Sequence, residues 1–198
     1  MIAAPERSAA RDDALRATLP HVARLGWTAA ALRAGLADLG EPADAAEWLF
    51  PQGPASMVEA WCDLADREMT EAAAPLDGLR VPGRIRALIA ARLEQAEPWR
   101  EAKRRGVALL SLPWNAGTGA RCAARTADAM WLAAGDTSTG FSRHTKRLTL
   151  AAIHSATLAF WLREPAPGLE ATLAFLDRRL DGLARWQRRR GAGTRQTA

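Results

Sequence analysis

Three histidines, two cysteines and one glycine-rich run are the parts of this 198-residue chain whose types suggest chemistry. A helical metal site needs ligands three or four residues apart on one face, as in a Glu-x-x-His pair. His21, His144 and His154 offer no such spacing and belong to no such pair. A nucleophile needs an elbow of the G-x-S-x-G kind, or a cysteine with a histidine at hand. Neither is visible: Cys62, beside Trp61 and Leu64, reads as a small buried hydrophobe. Cys62 and Cys122 stand far apart in sequence, which predicts free thiols rather than a disulfide framework or a CxxC clip. Gly117-Thr118-Gly119 follows no strand and lacks the rest of a phosphate loop. The expectation is no catalytic residue, no metal, no cofactor and no enzyme activity.

The elements that would position these residues are helices. Ala, Leu and Arg dominate, and no stretch alternates with the period of a strand. Pro and Gly divide the chain into about nine helices: Glu6 to Val22, Thr28 to about Gly40, Ala43 to Leu49, then from the Phe50–Pro54 turn to about Ala74. Further helices run from Pro82 to Ala96, from Pro98, from Pro113 to about Gly135, to about Arg163, and from Gly168 to about Arg190. Asp136-Thr137-Ser138-Thr139 is expected to cap the eighth. From Leu148 to Leu162 that helix is apolar almost all round, as in a bundle interior or a cavity wall. In the ninth, Leu169, Leu173, Leu176, Leu180 and Leu183 form a helical stripe, which reads as core-facing or as a dimer or membrane contact. Pro75 to Gly83 is the clearest linker.

Net charge sharpens this division. The chain carries +5 overall, which on its own suggests a polyanionic partner. Residues 1–80 hold 7 Arg against 13 Asp and Glu, a net of −6, while residues 81–198 carry a net of +11. The second helix, turn and third helix have helix-turn-helix dimensions, and Gly26-Trp27-Thr28 through Leu49-Phe50-Pro51 resembles the N-terminal module of TetR-type repressors. Yet Ala43-Asp44-Ala45-Ala46-Glu47-Trp48-Leu49 presents two acids and no cation or amide to a duplex. DNA-binding regulation is therefore the alternative reading, not the first. The cations lie instead with Trp99, Trp114, Trp131, Trp161 and Trp186, a pairing suited to lipid interfaces. No run of 18 apolar residues spans a membrane, and no signal or transit segment is read at the N-terminus.

Several blocks resemble a known family. They are Ala127-Asp128-Ala129-Met130-Trp131, Ala134-Gly135-Asp136-Thr137-Ser138-Thr139, Phe141, Thr145-Lys146-Arg147, Leu150-Ala151-Ala152-Ile153 and Phe175-Leu176-Asp177-Arg178-Arg179. Upstream stand Leu19-Pro20-His21-Val22, Leu49-Phe50-Pro51-Gln52-Gly53-Pro54 and Asp66-Arg67. Together they resemble the COQ9 family of ubiquinone-biosynthesis accessory proteins. Ser142-Arg143-His144 and Gly140 depart from its pattern.

The resemblance implies an all-α, TetR-like fold, with a vestigial helix-turn-helix region over 1–75 and a helical lipid-binding and dimerisation region over 76–198. It implies a homodimer that binds isoprenoid quinone intermediates or phospholipid and presents them to a ring hydroxylase of the pathway, without nucleic acid. It also implies a cytoplasmic protein held peripherally at the inner membrane. From apolar faces, the expected lipid site comprises Leu109, Leu110, Met130, Leu148, Ile153, Phe160 and Trp161. Trp131 matches a tryptophan of the family's hydroxylase-contacting patch. With Leu132, Arg185, Trp186, Arg188 and Arg189 it forms the expected partner or membrane contact.

Overall fold

A computed structural model describes the backbone of residues 3–72 and 76–193, with side chains over that range except at Phe141 and residues 183–193. Among the described residues there are nine α-helices and no strand: α1 Ala9–Leu25, α2 Ala29–Asp38, α3 Ala45–Leu49, α4 Pro54–Ala72, α5 Val81–Ala96, α6 Arg100–Leu110, α7 Ala116–Ala133, α8 Gly140–Trp161 and α9 Leu169–Gly193. A single 3-10 turn, Glu97–Trp99, joins α5 to α6.

The N-terminal entry points are set by short polar side chains. Ser8 caps α1 by accepting from the Arg11 amide at 3.2 Å, and Thr28 caps α2 by accepting from Ala31 at the same distance. Between them Gly26 takes φ 70° and donates to Val22 O, ending α1 three residues later than the sequence suggests. The helices then cross closely at Gly35, where a Cβ would stand 2.7 Å from the backbone of Ala17 and Thr18. Buried Trp27 anchors the turn by donating its indole N–H to Ala102 O of α6 at 2.9 Å.

Two other expected helix starts differ. Pro113 lies in a turn, and α7 begins at Ala116. The 136–139 turn lends α8 no side-chain cap, because Asp136 is held by Lys146 and Arg147 while Ser138 donates to Asp136. The side chains have stronger charged partners there than the helix amides.

Two hydrophobic cores result. The first gathers Leu15, Leu32, Leu49, Trp61 and Leu64, and recruits Ala102, Leu110 and Cys122 from α6 and α7. The second gathers Met69, Ile89, Leu93, Met130, Trp161 and Leu176. Helices α4 and α7 contribute to both cores: Leu64 and Cys122 belong to the first, Met69 and Ala127 to the second. Leu176 of the α9 stripe is fully buried, and Leu169, Leu173 and Leu180 pack beside it; Leu183 lies outside the described side chains.

Candidate functional site

Four helices aim one face each at a common cavity of about 330 Å³. Helix α4 supplies Val58 and Cys62, one turn apart; α6 supplies Lys103, Gly106, Val107 and Leu110; α7 supplies Gly119, Cys122, Ala123 and Thr126; α8 supplies His154, Ser155, Leu158 and Ala159, and Arg92 of α5 completes the lining. Each set follows the three-or-four-residue step that keeps side chains on one helical face. Two glycines permit the approach. A Cβ on Gly106 would meet Val58 at 3.2 Å, and one on Gly119 would meet Leu110 O at 3.0 Å. Within the Gly117-Thr118-Gly119 run, Gly119 thus serves helix packing. Ser155 and Ala159 are exposed and mark the mouth.

The walls are apolar and the floor is charged. Arg92 of α5 pairs with Asp66 at 3.2 Å and donates to Cys62 O, while Thr126 donates to Asp66 at 2.8 Å. Burial raises the Asp66 carboxyl to about 6 against the pull of Arg92. Buried Lys103 lies 4.6 Å over the Trp61 ring, and burial lowers its pKa. Among the described residues no carboxylate forms an ion pair with it. His154 is buried and pushed down to about 3 by desolvation, then by Arg92 and Lys103, so its imidazole is neutral at pH 7. Its Nδ1 has no hydrogen-bond partner. The neighbouring Cys122 thiol lowers the Cys62 thiol against its burial, and the Lys103, Arg92 and Arg125 cations act the same way. The Cys122 thiol is correspondingly raised.

A second cavity of about 430 Å³ lies along the N-terminal half of α8. Val81 and Ile85 of α5, Trp131 of α7, Leu150 and Ile153 of α8 and Leu180 of α9 wall it. Its rim is a closed polar network. Trp131 donates its indole N–H to Lys146 O at 3.0 Å, and the Lys146 ammonium sits 5.3 Å over the same ring and 2.7 Å from Asp136. Arg147 bridges Asp136 and Asp128. Although burial opposes it, hydrogen bonds from Lys146, Ser138 and Arg147 hold the Asp136 carboxyl at about 2. The Trp, Asp and Lys-Arg blocks are thus neighbours that tie α7 to α8.

The seven residues expected to line one lipid site are dispersed. Leu110 lines the first cavity and Ile153 the second. Met130 and Trp161 are fully buried in the second core, where helix packing leaves them no open face. The Trp161 indole donates to Glu97 and stacks under Arg100. Leu109 is half-buried against the first core, and Phe160 stacks on Phe175 at 4.5 Å. Leu148 is 75% exposed, on the outer face of α8. An almost all-apolar helix concealed which of its faces was inward.

Of the expected contact residues, Trp131 is half-buried with its N–H occupied, and Leu132 is exposed. Arg185, Trp186, Arg188 and Arg189 lie outside the described side chains. Sequence reasoning missed Cys62, Cys122, Lys103 and His154 as a group. Their only early signal was the shared helical face of Val58, Cys62 and Asp66; the rest is tertiary. Among the described residues, no group of three or more His, Cys, Asp or Glu could hold a metal ion, and no helix is long and apolar enough to cross a membrane.

Comparison with known proteins gives the same direction. Residues 116–187 match the family described as COQ9. The chain is 30% identical over 185 residues to the mitochondrial ubiquinone biosynthesis protein COQ9 of Drosophila melanogaster, covering 87% of this chain and 55% of that protein. It is 28% identical to the Homo sapiens protein of the same name, covering 84% and 55%. The chain thus spans about half the length of these relatives. Among solved structures, a TetR transcriptional regulator from Nitrosomonas europaea superimposes with a TM-score of 0.69 at 22% identity, covering 90% of this chain and 99% of that one. The fold is TetR-like.

Proposed function

Because the chain belongs to the COQ9 family, we propose that it is a lipid-binding accessory protein of ubiquinone biosynthesis, holding an isoprenoid quinone intermediate and presenting it to a ring hydroxylase. The observation that carries this reading is the first cavity, whose apolar walls close on a small polar floor. That combination suits a ligand with an oxygenated ring and an apolar body. Each tail CH₂ taken from water contributes about 0.8 kcal/mol. Lys103 and His154 offer polar atoms to ring oxygens.

In this reading the protein supplies binding and orientation, and the partner supplies the hydroxylation. Exposed Leu132, beside the braced Trp131, is the apolar contact for the hydroxylase. A homodimer and a peripheral place at the cytoplasmic side of the inner membrane belong to the same proposal, as does phospholipid as a second ligand. The DNA-binding alternative has little support in α3: its five residues expose Glu47 and Trp48, and Glu47 already engages Arg33 at 3.2 Å.

Native mass spectrometry of the purified protein, followed by lipid extraction, tests the proposal. A bound isoprenoid quinone or phospholipid is expected. A protein that is empty and also ignores added isoprenoid quinones and anionic vesicles overturns it. Sequence-selective DNA shifts at physiological salt would favour the regulator instead.

A further inference from the structure

Two cysteines sixty residues apart face the same cavity, and they are the chain's only cysteines. Both are reduced. They come from helices α4 and α7, which pack on each other and bring both cysteines to the wall of one cavity. Around them stand Lys103, buried and without a carboxylate ion pair among the described residues, and Arg125, whose Nη2 lies 3.7 Å from the Cys122 sulfur. A thiolate beside buried cations is the nucleophilic form of cysteine, and a neighbouring thiol is what resolves its adducts. His154, buried and lining the same cavity, keeps an Nδ1 with no hydrogen-bond partner among the described residues. The cavity already holds a nucleophile, a resolving thiol, a proton donor and a spare polar atom.

We propose that Cys62 and Cys122 form a dithiol site that reduces a 1,4-benzoquinone ring seated in the cavity to the hydroquinone, closing a disulfide between α4 and α7. This rests on the reading of the cavity as a quinone site. The Cys62 thiolate adds to a ring carbon; a C–S bond forms, the ring π pair moves onto a carbonyl oxygen, and the Lys103 ammonium protonates that oxygen. The Cys122 thiol gives up its proton and its sulfur attacks the Cys62 sulfur. The S–S bond forms as the C–S bond breaks, and the electron pair returns to the ring as an aromatic hydroquinone anion, which takes the Cys122 proton. Two thiols are oxidised, one quinone gains two electrons and two protons, and solvent reprotonates Lys103. His154 pairs with a ring oxygen in either tautomer. A thiol reductant reopens the disulfide for another round.

The test uses the whole reduced protein under anaerobic conditions with an n-decyl-1,4-benzoquinone. Hydroquinone is read by absorbance, bound quinone by native mass spectrometry, and the cysteines by non-reducing peptide mapping. Hydroquinone stoichiometric with protein and a Cys62–Cys122 linked peptide are expected. Cys122→Ser should stop at a thioether on Cys62. The thiol-free double variant Cys62→Ser/Cys122→Ser should bind quinone without reducing it. Quinone bound in the wild type with both thiols still free overturns the dithiol site and leaves the lipid-binding reading standing. Failure to bind quinone at all overturns both.

Discussion

The backbone carbonyl of Lys146 accepts the indole N–H of Trp131 at 3.0 Å, fastening the end of α7 to the first turns of α8. The same lysine extends its ammonium over that ring and on to Asp136. Trp131→Ala therefore removes packing and leaves a carbonyl short of a partner. A loss of about 2 kcal/mol is expected, below the range for a fully buried tryptophan. Urea unfolding of the two proteins measures it. Equal midpoints would mean that the brace carries no stability and that Trp131 serves only a surface contact.

Leu132, the next residue, is 57% exposed and has no such structural duty. Leu132→Asp should leave stability within about 0.5 kcal/mol of wild type. It should weaken capture of a quinone-pathway hydroxylase while lipid content stays the same. Co-purification at equal expression separates the two. Unchanged capture would move the docking surface elsewhere.

Acid response gives a prediction with a sign. The His154 pKa is about 3 in the folded state against an ordinary 6.5, so between these values the unfolded chain binds the extra proton. Stability from His154 is present above 6.5 and falls by about 2 kcal/mol from pH 7 to pH 5. Asp66 works the other way. Its folded value of about 6 lies above the ordinary 3.8, so the folded chain binds the extra proton and gains about 1 kcal/mol over the same interval. His154→Leu should therefore turn a net loss on acidification into a net gain. Denaturant midpoints at the two pH values decide it, and an unchanged slope would refute the assignment.

Lys103→Met replaces a buried cation, without an ion-pair partner among the described residues, with an apolar chain of similar length. The empty protein should become more stable by about 1 kcal/mol. Affinity for a quinone should fall roughly tenfold, the equivalent of about 1.4 kcal/mol for a lost charge-assisted hydrogen bond. Affinity for a tail of the same length without the ring should not change. Parallel titrations with both compounds give the comparison, and equal losses would place the ring away from Lys103.

Gly35→Ala tests the N-terminal crossing. The added Cβ would lie 2.7 Å from the α1 backbone, which cannot turn aside as a side chain can. A loss of about 2–3 kcal/mol is expected, seen as a lower melting temperature. A neutral result would show that α1 and α2 separate freely.

The helices were largely readable because their signals are local. Thr28 caps where a hydroxyl before an apolar run should cap, and the Leu176 stripe faces inward as its period requires. The 136–139 turn gives α8 no side-chain cap, and its carboxylate, Asp136, is claimed by Lys146 and Arg147, a competition invisible until α8 folds back on its own N-terminal turn. The cavity was unreadable for a related reason. Cys62, Cys122 and His154 belong to three helices, and no spacing within any one of them announces the meeting. Leu148 shows the limit of apolarity itself: it has the same residue type as Leu150, yet two positions along α8 exchange exposure for burial.

Helix α8 is a partition between two chambers. His154 and Leu158 look into one, while Leu150 and Ile153 look into the other. A helix shifts as a stiff rod, so widening one chamber draws on the volume of its neighbour. A guest on the thiol side would therefore press from behind on the wall that holds Trp131.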